Sequence, residues 1–455
     1  MSFLSSLAGS EILIFGAGVT GKPSEEFLQS RGAIVTVVDE NVSAEGTRSN
    51  LDGLQLSRFA FALVSPGWRV DHPLIAQARD AGLTLRSEID LAWLVKCEIA
   101  PSQRWIGLTG TNGKTTTVQM TESILRESGI NARACGNVGD TVIEAVTSAE
   151  SDVLVLELSS FQLEWSSLFE LESAAILNIA EDHLDWHGSF DAYAGAKFKI
   201  CQRTKVAILN AADPEIARRA RELPKRLIYF SLETPSNHEI GLVENLIVDR
   251  AFVSGDAEVL FELSDISPTV PHNVLNGMAA AALARSIGAD SSAVGRALRN
   301  FKLDHHRLET VADKDQILWI DDSKATNPHA ALAAILSQPR VIWIAGGLAK
   351  GASMDDLIKR GKSRIKSAIL YGTDAPVIDK ALNAYAPEIE RVSIDAQLRG
   401  VDLMRAVVRT AAERATAGDT VLLAPACASM DRFKNYAERG ELFAAAVKEL
   451  LHDRP

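Results

Sequence analysis

The sequence predicts an α/β protein of three domains, each built on a mainly parallel sheet with flanking helices. Short runs of β-branched and apolar residues alternate with amphipathic helical stretches along almost the whole chain, a pattern typical of parallel sheets with helices on both faces. The length of 455 residues exceeds what one hydrophobic core usually holds and suggests about three domains. We place them at residues 1–100, 101–302 and 303–455.

Composition describes an ordinary globular chain, with 47% hydrophobic and 23% charged residues. The net charge of −12 argues against nucleic acid or an anionic membrane as a partner. The cysteines Cys97, Cys135, Cys201 and Cys427 show no metal-ligand spacing and indicate reduced thiols. No signal peptide and no apolar run of about 20 residues is evident. We therefore predict a cytoplasmic protein without membrane insertion.

The first domain is predicted to be Rossmann-like. Strands are expected at Ile12–Phe15, Ile34–Val38 and Ala60–Val64, with a helix near Ser24–Arg31. The motif Gly16-Ala17-Gly18-Val19-Thr20-Gly21 follows the first strand, and Asp39 ends the second. This spacing predicts a diphosphate at a helix N-terminus.

Two ligands satisfy that motif equally well. One is a dinucleotide with Asp39 on a ribose hydroxyl, and the other is the diphosphate of a UDP-sugar. A tight turn that binds nothing is a third reading. Ser65 follows the strand Ala60–Val64, at the same predicted sheet edge, and could contribute.

The central domain is predicted to carry a phosphate loop. Strands are expected at Trp105–Leu108, Val153–Leu156, Ala174–Leu177 and Val206–Leu209, with short antiparallel strands and turns over Leu227–Leu263 and a helix over Asn273–Ser286. The first strand leads into Gly110, Thr111, Asn112, Gly113, Lys114, Thr115 and Thr116, and a helical pattern follows over Val118–Ser128. Inward N–H groups, a helix N-terminus and a lysine together predict a polyphosphate site. The strict phosphate-loop spacing needs a glycine where Leu108 stands.

Polar residues beyond the central strands suggest a metal and a pocket. Glu157 directly follows a strand and is a candidate Mg²⁺ ligand, since Mg²⁺ takes hard oxygen donors. A helix cap or a surface ion pair would explain it as well. His183 stands in the polar cluster of residues 178–187. Lys197, on a helical pattern, would by itself indicate only a solvated helix face.

The third domain, predicted to be Rossmann-like again, places polar residues in the same way. Strands are expected at Ile317–Ile320, Val341–Ile344, Ser367–Tyr371 and Thr420–Leu423, with a last helix at Leu442–Leu451. Asp322, Lys324 and Thr326 follow the first strand, and Lys350 follows the second. A well-capped helix would also explain the first three. His306-Arg307 could meet a phosphate, since arginine binds phosphate bidentately.

Several motifs taken together resemble the Mur ligase family. They occur in order and include TGTNGKTT, ELSSFQLEW, NIAEDHLDWHGSFDAYAGAK, HHRLE, DDSKATNPHAA and APACASMDRFKNYAERG. The likeness spans nearly the whole chain and is weakest at residues 213–270 and 375–419. The segments ELSSFQLE, DSKATN and PACAS look like the member of the family that adds D-glutamate.

The resemblance implies an ADP-forming ligase of peptidoglycan synthesis. ATP would phosphorylate the L-alanine carboxylate of UDP-MurNAc-L-Ala, and the amine of D-glutamate would attack the acyl phosphate. Mg²⁺ at two sites and a carbamate on Lys197 are implied as well. The partners would be these small molecules, and the enzyme is expected to be a monomer.

The resemblance also implies a role for each matching residue. ATP would be bound by Gly110, Thr111, Asn112, Gly113, Lys114, Thr115, Thr116, Asn276, His306, Arg307 and Asp322. The UDP-sugar would be bound by Val19, Thr20, Asp39, Ser65, Asn137, Ser159 and Gln162. D-Glutamate would be bound by Lys324, Thr326, Lys350, Ser429 and Tyr436, and two lysines suit its two carboxylates. The metal ligands would be Thr115, Glu157, His183 and carbamylated Lys197, and the catalytic residues Lys114, His183 and Lys197.

Three rival readings remain open at this point. An NAD-dependent oxidoreductase would explain the Gly16–Gly21 motif and Asp39 but leaves the Gly113-Lys114 loop unexplained. A non-catalytic, nucleotide-gated binding protein would make Glu157, His183 and Lys197 structural. A sister ligase would add L-lysine, diaminopimelate or L-alanine instead of D-glutamate.

Overall fold

The computed structural model describes residues 2–41, 46–223, 226–253 and 255–452. The chain forms two compact units. The first comprises Met1–Ile179, Ala194–Thr269 and Asn273–Phe301, and the second comprises Ala180–Tyr193, Val270–His272 and Lys302–Pro455. Two of the three sheets belong to the first unit and one to the second. The predicted α/β architecture of mainly parallel sheets is confirmed.

The first sheet has five parallel strands in the order β3-β2-β1-β4-β5. Their bounds are β1 Glu11–Phe15, β2 Ile34–Val38, β3 Thr47–Arg48, β4 Phe59–Val64 and β5 Leu85–Arg86. The chain leaves β1 toward β2 on one side and later returns to β4 on the other. The carboxyl end of β1 is therefore a topological switch point, where open α/β sheets bind ligands.

Four helices accompany this sheet: α1 Phe3–Leu7, α2 Gly21–Ser30, α3 Pro73–Asp80 and α4 Glu88–Ile99. Local sequence explains where they start. Pro73 stands at the start of α3 and the His72 ring accepts the Leu74 N–H, while Ser87 and Asp90 form a reciprocal capping box on α4. Apolar residues of β1, β2, β4 and α3 form the core of this domain.

The central sheet has nine strands in the order β14-β13-β12-β11-β10-β9-β6-β8-β7. Their bounds are β6 Arg104–Thr109, β7 Ala132–Gly136, β8 Val153–Glu157, β9 Leu171–Ile176, β10 Thr204–Asn210, β11 Arg226–Phe230, β12 Glu239–Val243, β13 Leu246–Asp249 and β14 Glu258–Glu262. Strands β6 to β12 pair in parallel with their neighbours among these strands, and β12-β13-β14 form an antiparallel meander. The prediction of antiparallel strands over Leu227–Leu263 is thus wrong for β11. A helix after β10, capped by Asp213, carries the chain back so that β11 runs parallel to β10.

The described residues of this part of the chain form the helices α5 Lys114–Glu127, α6 Val142–Ser148, α7 Ser160–Trp165, α8 Leu184–His187, α9 Phe190–Gln202, α10 Pro214–Ala220, α11 Pro271–Ser286 and α12 Ser291–Asn300. The alanine-rich stretch of α11, Met278 to Ala284, is completely buried. It joins residues of α5, β6 and β8 in one large core. This packing holds α5 against β6, so the turn between them has a rigid base.

The third sheet has six strands in the order β15-β16-β20-β17-β18-β19, and all but the edge strand β15 are parallel. Their bounds are β15 Glu309–Lys314, β16 Ile317–Asp321, β17 Val341–Gly346, β18 Ile365–Tyr371, β19 Glu390–Ser393 and β20 Thr420–Leu423. The helices are α13 Pro328–Leu336, α14 Asp355–Gly361, α15 Ala375–Tyr385, α16 Gly400–Ala412 and α17 Tyr436–His452. Two apolar clusters include alternate residues of β17 and β20, as expected for a sheet covered on both faces. Of all the helices in the described ranges, none is long and apolar enough for a membrane span.

Candidate active site

The turn between β6 and α5 is held in shape by Asn178, which follows β9. The N–H of Thr111 donates to the Asn178 backbone oxygen at 2.9 Å. The N–H of Asn112 donates to Asn178 Oδ1 at 2.8 Å, and Asn178 Nδ2 donates to the Asn112 oxygen at 3.0 Å. Because β6 lies between β8 and β9, this turn occupies the switch point of the central sheet. The loop is therefore preorganised at the position where a ligand is expected.

Two lysines converge on this turn. Lys114 Nζ donates to the backbone oxygens of Gly110 and Thr111 at 2.9 and 3.0 Å. Lys197, only 2% exposed, donates from Nζ to the same Gly110 oxygen at 2.7 Å. The N-terminus of the 14-residue helix α5 adds its partial positive charge. An anion at this turn would offset a local concentration of positive charge.

Gly113 makes the turn possible. Its φ of 84° lies in the left-handed region, which favours glycine. A Cβ at this position would also collide with the side-chain amide of the buried residue Asn276 in α11. The predicted nucleotide ligand Asn276 is thus packed directly against the phosphate loop.

Glu157, at the end of β8, is a carboxylate with one oxygen unsatisfied. The residue is 1% exposed, and its Oε1 accepts a hydrogen bond from Asn137 Nδ2 at 2.8 Å. Its Oε2 is buried without a hydrogen-bond partner among the described residues. Leaving a buried carboxylate oxygen unpaired is costly unless a ligand completes it. Hard oxygen donors of this kind, with the Thr115 and Thr116 hydroxyls in the first turn of α5, fit Mg²⁺.

The glycine motif after β1 is organised by Asp39. The Ala17 N–H donates to Asp39 Oδ2 at 2.9 Å, and the Asn41 N–H donates to Asp39 Oδ1 at 2.9 Å. Asp39 therefore ties the glycine turn to the end of β2. Val19 is 86% exposed at the tip of the turn. Ser65 begins the loop after β4 and donates its N–H to Phe15 at the end of β1.

Ser159 and Gln162 form the cap of the short helix α7. The Ser159 N–H and Oγ both donate to Gln162 Oε1, at 2.9 and 3.0 Å, and the Gln162 N–H donates back to Ser159 Oγ at 3.2 Å. These two predicted UDP-sugar ligands thus exchange the hydrogen bonds of a capping box. Their observed contacts are those of a helix start.

In the second unit, Asp182 brings His183 and Lys350 together. Asp182 is buried, its Oδ1 accepts the His183 N–H at 3.0 Å and lies 3.6 Å from Lys350 Nζ. Its Oδ2 accepts from Asn327 Nδ2 at 3.3 Å and lies 3.7 Å from His183 Nε2. Asn327 in turn caps α13. One carboxylate therefore joins the loops after β16 and β17 to the segment that carries His183.

The carboxyl end of β16 carries two adjacent carboxylates with different partners. Asp321 Oδ2 lies 2.6 Å from His306 Nδ1, and this hydrogen bond raises the pKa of His306. Asp322 accepts the Leu308 N–H at 3.2 Å. Burial raises the pKa of Asp322 to about 7, although the nearby Arg307 guanidinium opposes the rise. His306, Arg307 and Asp322 are therefore neighbours in the structure.

Some of the residues predicted to bind D-glutamate contact one another. Lys324 Nζ lies 3.7 Å from the centroid of the Tyr436 ring, a cation–π contact. The Thr326 N–H donates to the Lys324 oxygen at 2.8 Å. Ser429 is buried after β20, where its backbone oxygen accepts N–H groups of Arg432 and Phe433. Lys350, the remaining predicted residue of this group, pairs with Asp182.

Comparison with known proteins decides the family. Residues 108–284 match the Mur ligase middle domain, and residues 306–427 match the Mur ligase glutamate ligase domain. The chain is 44% identical over 470 residues to a UDP-N-acetylmuramoylalanine–D-glutamate ligase of Streptomyces avermitilis, with 98% of this chain and all of that protein covered. The chain belongs to the Mur ligase family.

Other Mur ligases are also similar to this chain in sequence or in structure. Enzymes of the same name from Thermobifida fusca and Mycolicibacterium smegmatis are 44% and 37% identical, each over at least 97% of both chains. Among solved structures, a pseudomurein peptide ligase type C from Methanothermus fervidus has a TM-score of 0.61 at 20% identity, covering 97% of this chain and 100% of that one. The MurF ligase from Thermotoga maritima in complex with ADP has a TM-score of 0.59 at 15% identity, covering 100% and 98%. These structures support the Mur ligase fold.

Sequence reasoning missed several residues of this Mur ligase site. Asp182, Asp321 and Asn178 were passed over as members of polar runs, although each now organises a predicted ligand. Arg439 in α17 was missed too; it is fully buried and donates to Ser323 and to the Cys427 oxygen. It thereby ties the loop after β16 to the loop after β20. An arginine within an otherwise amphipathic helix gave no signal of this role.

Proposed function

We propose that the protein joins D-glutamate to UDP-N-acetylmuramoyl-L-alanine and hydrolyses ATP to ADP and phosphate in doing so. The observation that carries this proposal is the similarity, over nearly the full length, to ligases named for that reaction. The phosphate loop and the unpartnered oxygen of Glu157 support the ATP half of it. The similarity to ligases over nearly the full length argues against the oxidoreductase reading.

The first chemical step is phosphorylation of the L-alanine carboxylate. A carboxylate oxygen attacks the γ-phosphorus, the bond to the β-phosphate oxygen breaks, and an acyl phosphate and ADP result. Both reactants are anions, so Lys114 and the N–H groups at the N-terminus of α5 lower their repulsion. The Asn178 contacts hold these donors in place before ATP arrives.

Mg²⁺ ions bind at two sites in this proposal. Glu157 with Thr115 or Thr116 would hold one ion, and His183 and a carbamate on Lys197 are proposed as ligands of a second ion. When bound, Mg²⁺ neutralises phosphate charge as a Lewis acid. Carbamylation of Lys197 would also exchange its positive charge for a negative one beside Lys114, which relieves the like-charge contact at the Gly110 oxygen.

The second chemical step is amide formation. The D-glutamate nitrogen attacks the acyl carbon, the bond from that carbon to the phosphate oxygen breaks, and phosphate leaves with the electron pair. The nitrogen releases its surplus proton to solvent. Lys324 and Lys350 pair with the two carboxylates of D-glutamate, while Thr326, Ser429 and Tyr436 complete that subsite.

The first domain binds the UDP-sugar. The glycine turn after β1 receives the diphosphate, with Val19, Thr20, Asp39 and Ser65 lining the nucleotide. Asn137, Ser159 and Gln162 contribute from the central domain. We further propose that the enzyme is cytoplasmic, since both ATP and a nucleotide sugar are its substrates. We also propose that it is a monomer.

Phosphate release by the purified full-length chain tests the function. Turnover should require UDP-MurNAc-L-Ala, D-glutamate, ATP and Mg²⁺ together, and should stop when any one is omitted. Lys114→Ala should abolish turnover, whereas Lys205→Ala, which removes an exposed lysine paired with Glu172, should not. Turnover with L-lysine, diaminopimelate or L-alanine instead of D-glutamate would refute the substrate assignment.

Two further measurements test the finer parts of the proposal. Native mass spectrometry in bicarbonate buffer should show one added carbon dioxide, and Lys197→Arg should abolish the addition. A carbon dioxide adduct that persists in Lys197→Arg would place the carbamate elsewhere. Light scattering after size exclusion should give the mass of one chain of 49.1 kDa, and a dimer mass would contradict the monomer.

A further inference from the structure

The two oxygens of the buried Asp321 carboxylate have different hydrogen-bond partners. Asp321 is 1% exposed, and its Oδ2 lies 2.6 Å from His306 Nδ1. Its other oxygen, Oδ1, accepts the Ser323 N–H at 2.8 Å. A carboxylate has no hydrogen to donate at this contact, so Nδ1 of the ring must carry the proton.

Packing leaves the ring little freedom. Gly440 in α17 lies over the pair, and a Cβ there would collide with both His306 Nδ1 and Asp321 Oδ2. The Tyr436 ring approaches the imidazole edge-on, with centroids 6.3 Å apart. On the other side, Glu309 Oε2 accepts the His306 backbone N–H at 2.9 Å. Because Asp321 engages Nδ1, Nε2 is the ring nitrogen left to face a ligand.

The charges around the ring favour its protonated form. The Asp321 hydrogen bond is the main cause that raises the pKa of His306; burial opposes the rise, and the Glu309 and Glu441 charges add to it. His305 lies nearby, but its Nδ1 is 3.0 Å from Glu309 Oε1. Three carboxylates from β15, β16 and α17 thus surround one imidazole.

We propose that Asp321 is a positioning residue of the nucleotide site, which holds the His306 ring with Nδ1–H toward its own carboxylate and Nε2–H toward ATP. This inference rests on the proposed function, in which His306 contacts ATP. Phosphate, ribose and adenine offer mainly hydrogen-bond acceptors, so a charged imidazole with an outward N–H suits them. Asp321 touches no substrate and acts only through the ring.

The substitution Asp321→Asn should change both the tautomer and the pKa of His306. An amide has one acceptor oxygen and one donor nitrogen in place of two acceptors. If the oxygen keeps the Ser323 N–H, the amide nitrogen faces His306 and donates to Nδ1. The neutral ring must then carry its hydrogen on Nε2, and the pKa of His306 must fall, because protonation would set two donors against each other.

Nitrogen NMR on ¹⁵N-histidine protein tests this without any substrate. The chain has nine histidines, and His306→Gln identifies the signals. In the wild-type protein, His306 should titrate above an ordinary histidine, and its neutral form should carry the hydrogen on Nδ1. In Asp321→Asn the hydrogen should move to Nε2. Asp313→Asn, an exposed change on the adjacent strand β15, should leave the His306 signals unchanged.

Steady-state kinetics supply the second readout. For the wild-type enzyme, KM for ATP should rise as the pH increases through the raised pKa of His306, because the ring then loses its charge. In Asp321→Asn that profile should be flat, with KM for ATP about tenfold above wild type at the acidic end, where a charged hydrogen bond is lost. KM for D-glutamate should stay within twofold.

The outcomes separate this inference from the proposed function. A wild-type His306 that titrates at or below its ordinary value, or a neutral form with hydrogen on Nε2, overturns the inference even if Asp321→Asn does not fold. Unchanged ATP kinetics in a folded Asp321→Asn protein overturn it as well. If the wild-type chain neither binds ATP nor ligates D-glutamate, the proposed function fails, while the NMR result still reports on the pair.

Discussion

Asp182 Oδ1 lies 3.6 Å from Lys350 Nζ and also accepts the N–H of His183 at 3.0 Å. Both of these neighbours have backbones in the left-handed region, with φ of 51° for Lys350 and 53° for His183. Such conformations are unfavourable for residues other than glycine and persist only where contacts stabilise them. Asp182 supplies such a contact to each. The arrangement orients Lys350 and His183 relative to one another before substrate binds.

Replacement of Asp182 should therefore impair D-glutamate binding. In Asp182→Ala, Lys350 loses its buried counter-ion, and the loop after β17 loses a constraint. Removing one partner of a buried pair typically costs a few kcal/mol, so KM for D-glutamate should rise by about tenfold or more. Steady-state kinetics with D-glutamate varied and ATP saturating measures this.

Glu181→Gln is the matched control for that experiment. Glu181 is exposed and adjacent, so the variant removes the same charge without the contact. Its kinetics should match those of the wild-type enzyme. Equal KM values for D-glutamate in Asp182→Ala and Glu181→Gln would show that the ion pair has no role in binding.

The ring beneath Lys324 should also affect D-glutamate binding. A cation–π contact over Tyr436 is worth about 0.5–2 kcal/mol and depends on the ring, not on the hydroxyl. Tyr436→Phe should thus keep KM for D-glutamate within about twofold, whereas Tyr436→Leu should raise it several-fold. KM for UDP-MurNAc-L-Ala serves as the internal control. A large loss in Tyr436→Phe would mean that the hydroxyl, and not the ring, is the important group.

Most of the fold could be predicted because parallel strands have a strong local signal. Runs such as Ile34–Val38 and Thr420–Leu423 are short, apolar and β-branched, and their observed bounds agree with the prediction. Strand β11 was assigned the wrong direction, since direction depends on the helix α10 that precedes it and not on its own residues. The edge strand β15 is not evident from the sequence because Glu309–Lys314 has polar residues at both ends and only two apolar residues between them. As an edge strand it also pairs on one side only.

The site was predicted by position along the chain, but its internal contacts could not be. Residues such as Lys114 and Lys350 were found because they follow strands, where parallel sheets place ligands. Asp182, the carboxylate that pairs with Lys350, lies in a distant part of the sequence. Lys197, which shares the Gly110 oxygen with Lys114, is also distant from it in sequence. Which carboxylate pairs with which lysine depends on tertiary packing, and a single sequence carries no signal of that choice.

Glu157 should be essential for magnesium-dependent turnover. Its Oε2 is buried and has no hydrogen-bond partner among the described residues, which fits a role as a proposed metal ligand. Glu157→Gln should lower kcat by about a hundredfold or more, since a metal ligand is lost. It should also abolish the rise in thermal midpoint that Mg²⁺ and ATP produce in the wild-type protein.

Glu172→Gln is the control for the Glu157 variant, because Glu172 is partly exposed and pairs with a surface lysine. Both turnover and the Mg²⁺-dependent stabilisation should be normal in this protein. Calorimetric titration of Mg²⁺ in the presence of a non-hydrolysable ATP analogue adds a direct binding measurement. If Glu157→Gln binds Mg²⁺ as tightly as wild type does, Glu157 is not a ligand.

Glu88 should make the stability of the first unit depend on pH. This residue begins α4, is buried, and its Oε1 accepts the Ile143 N–H of α6 at 2.6 Å. Burial is the main cause that raises its pKa from 4.5 to about 7, and the neighbouring Glu144 and Asp90 charges add to the rise. Between these two pH values the folded protein binds a proton that the unfolded chain has released.

The contribution of Glu88 to the free energy of unfolding therefore falls as pH rises from 4.5 to about 7. Above that range it is a constant destabilising term. Glu88→Gln keeps an acceptor for Ile143 and removes the ionisation. Its free energy of unfolding relative to wild type should increase by up to about 3 kcal/mol from pH 4.5 to pH 8. Denaturant unfolding at several pH values measures the difference, and Glu26→Gln on the exposed face of α2 is the control. A difference that does not change with pH would mean that Glu88 ionises normally in the folded protein.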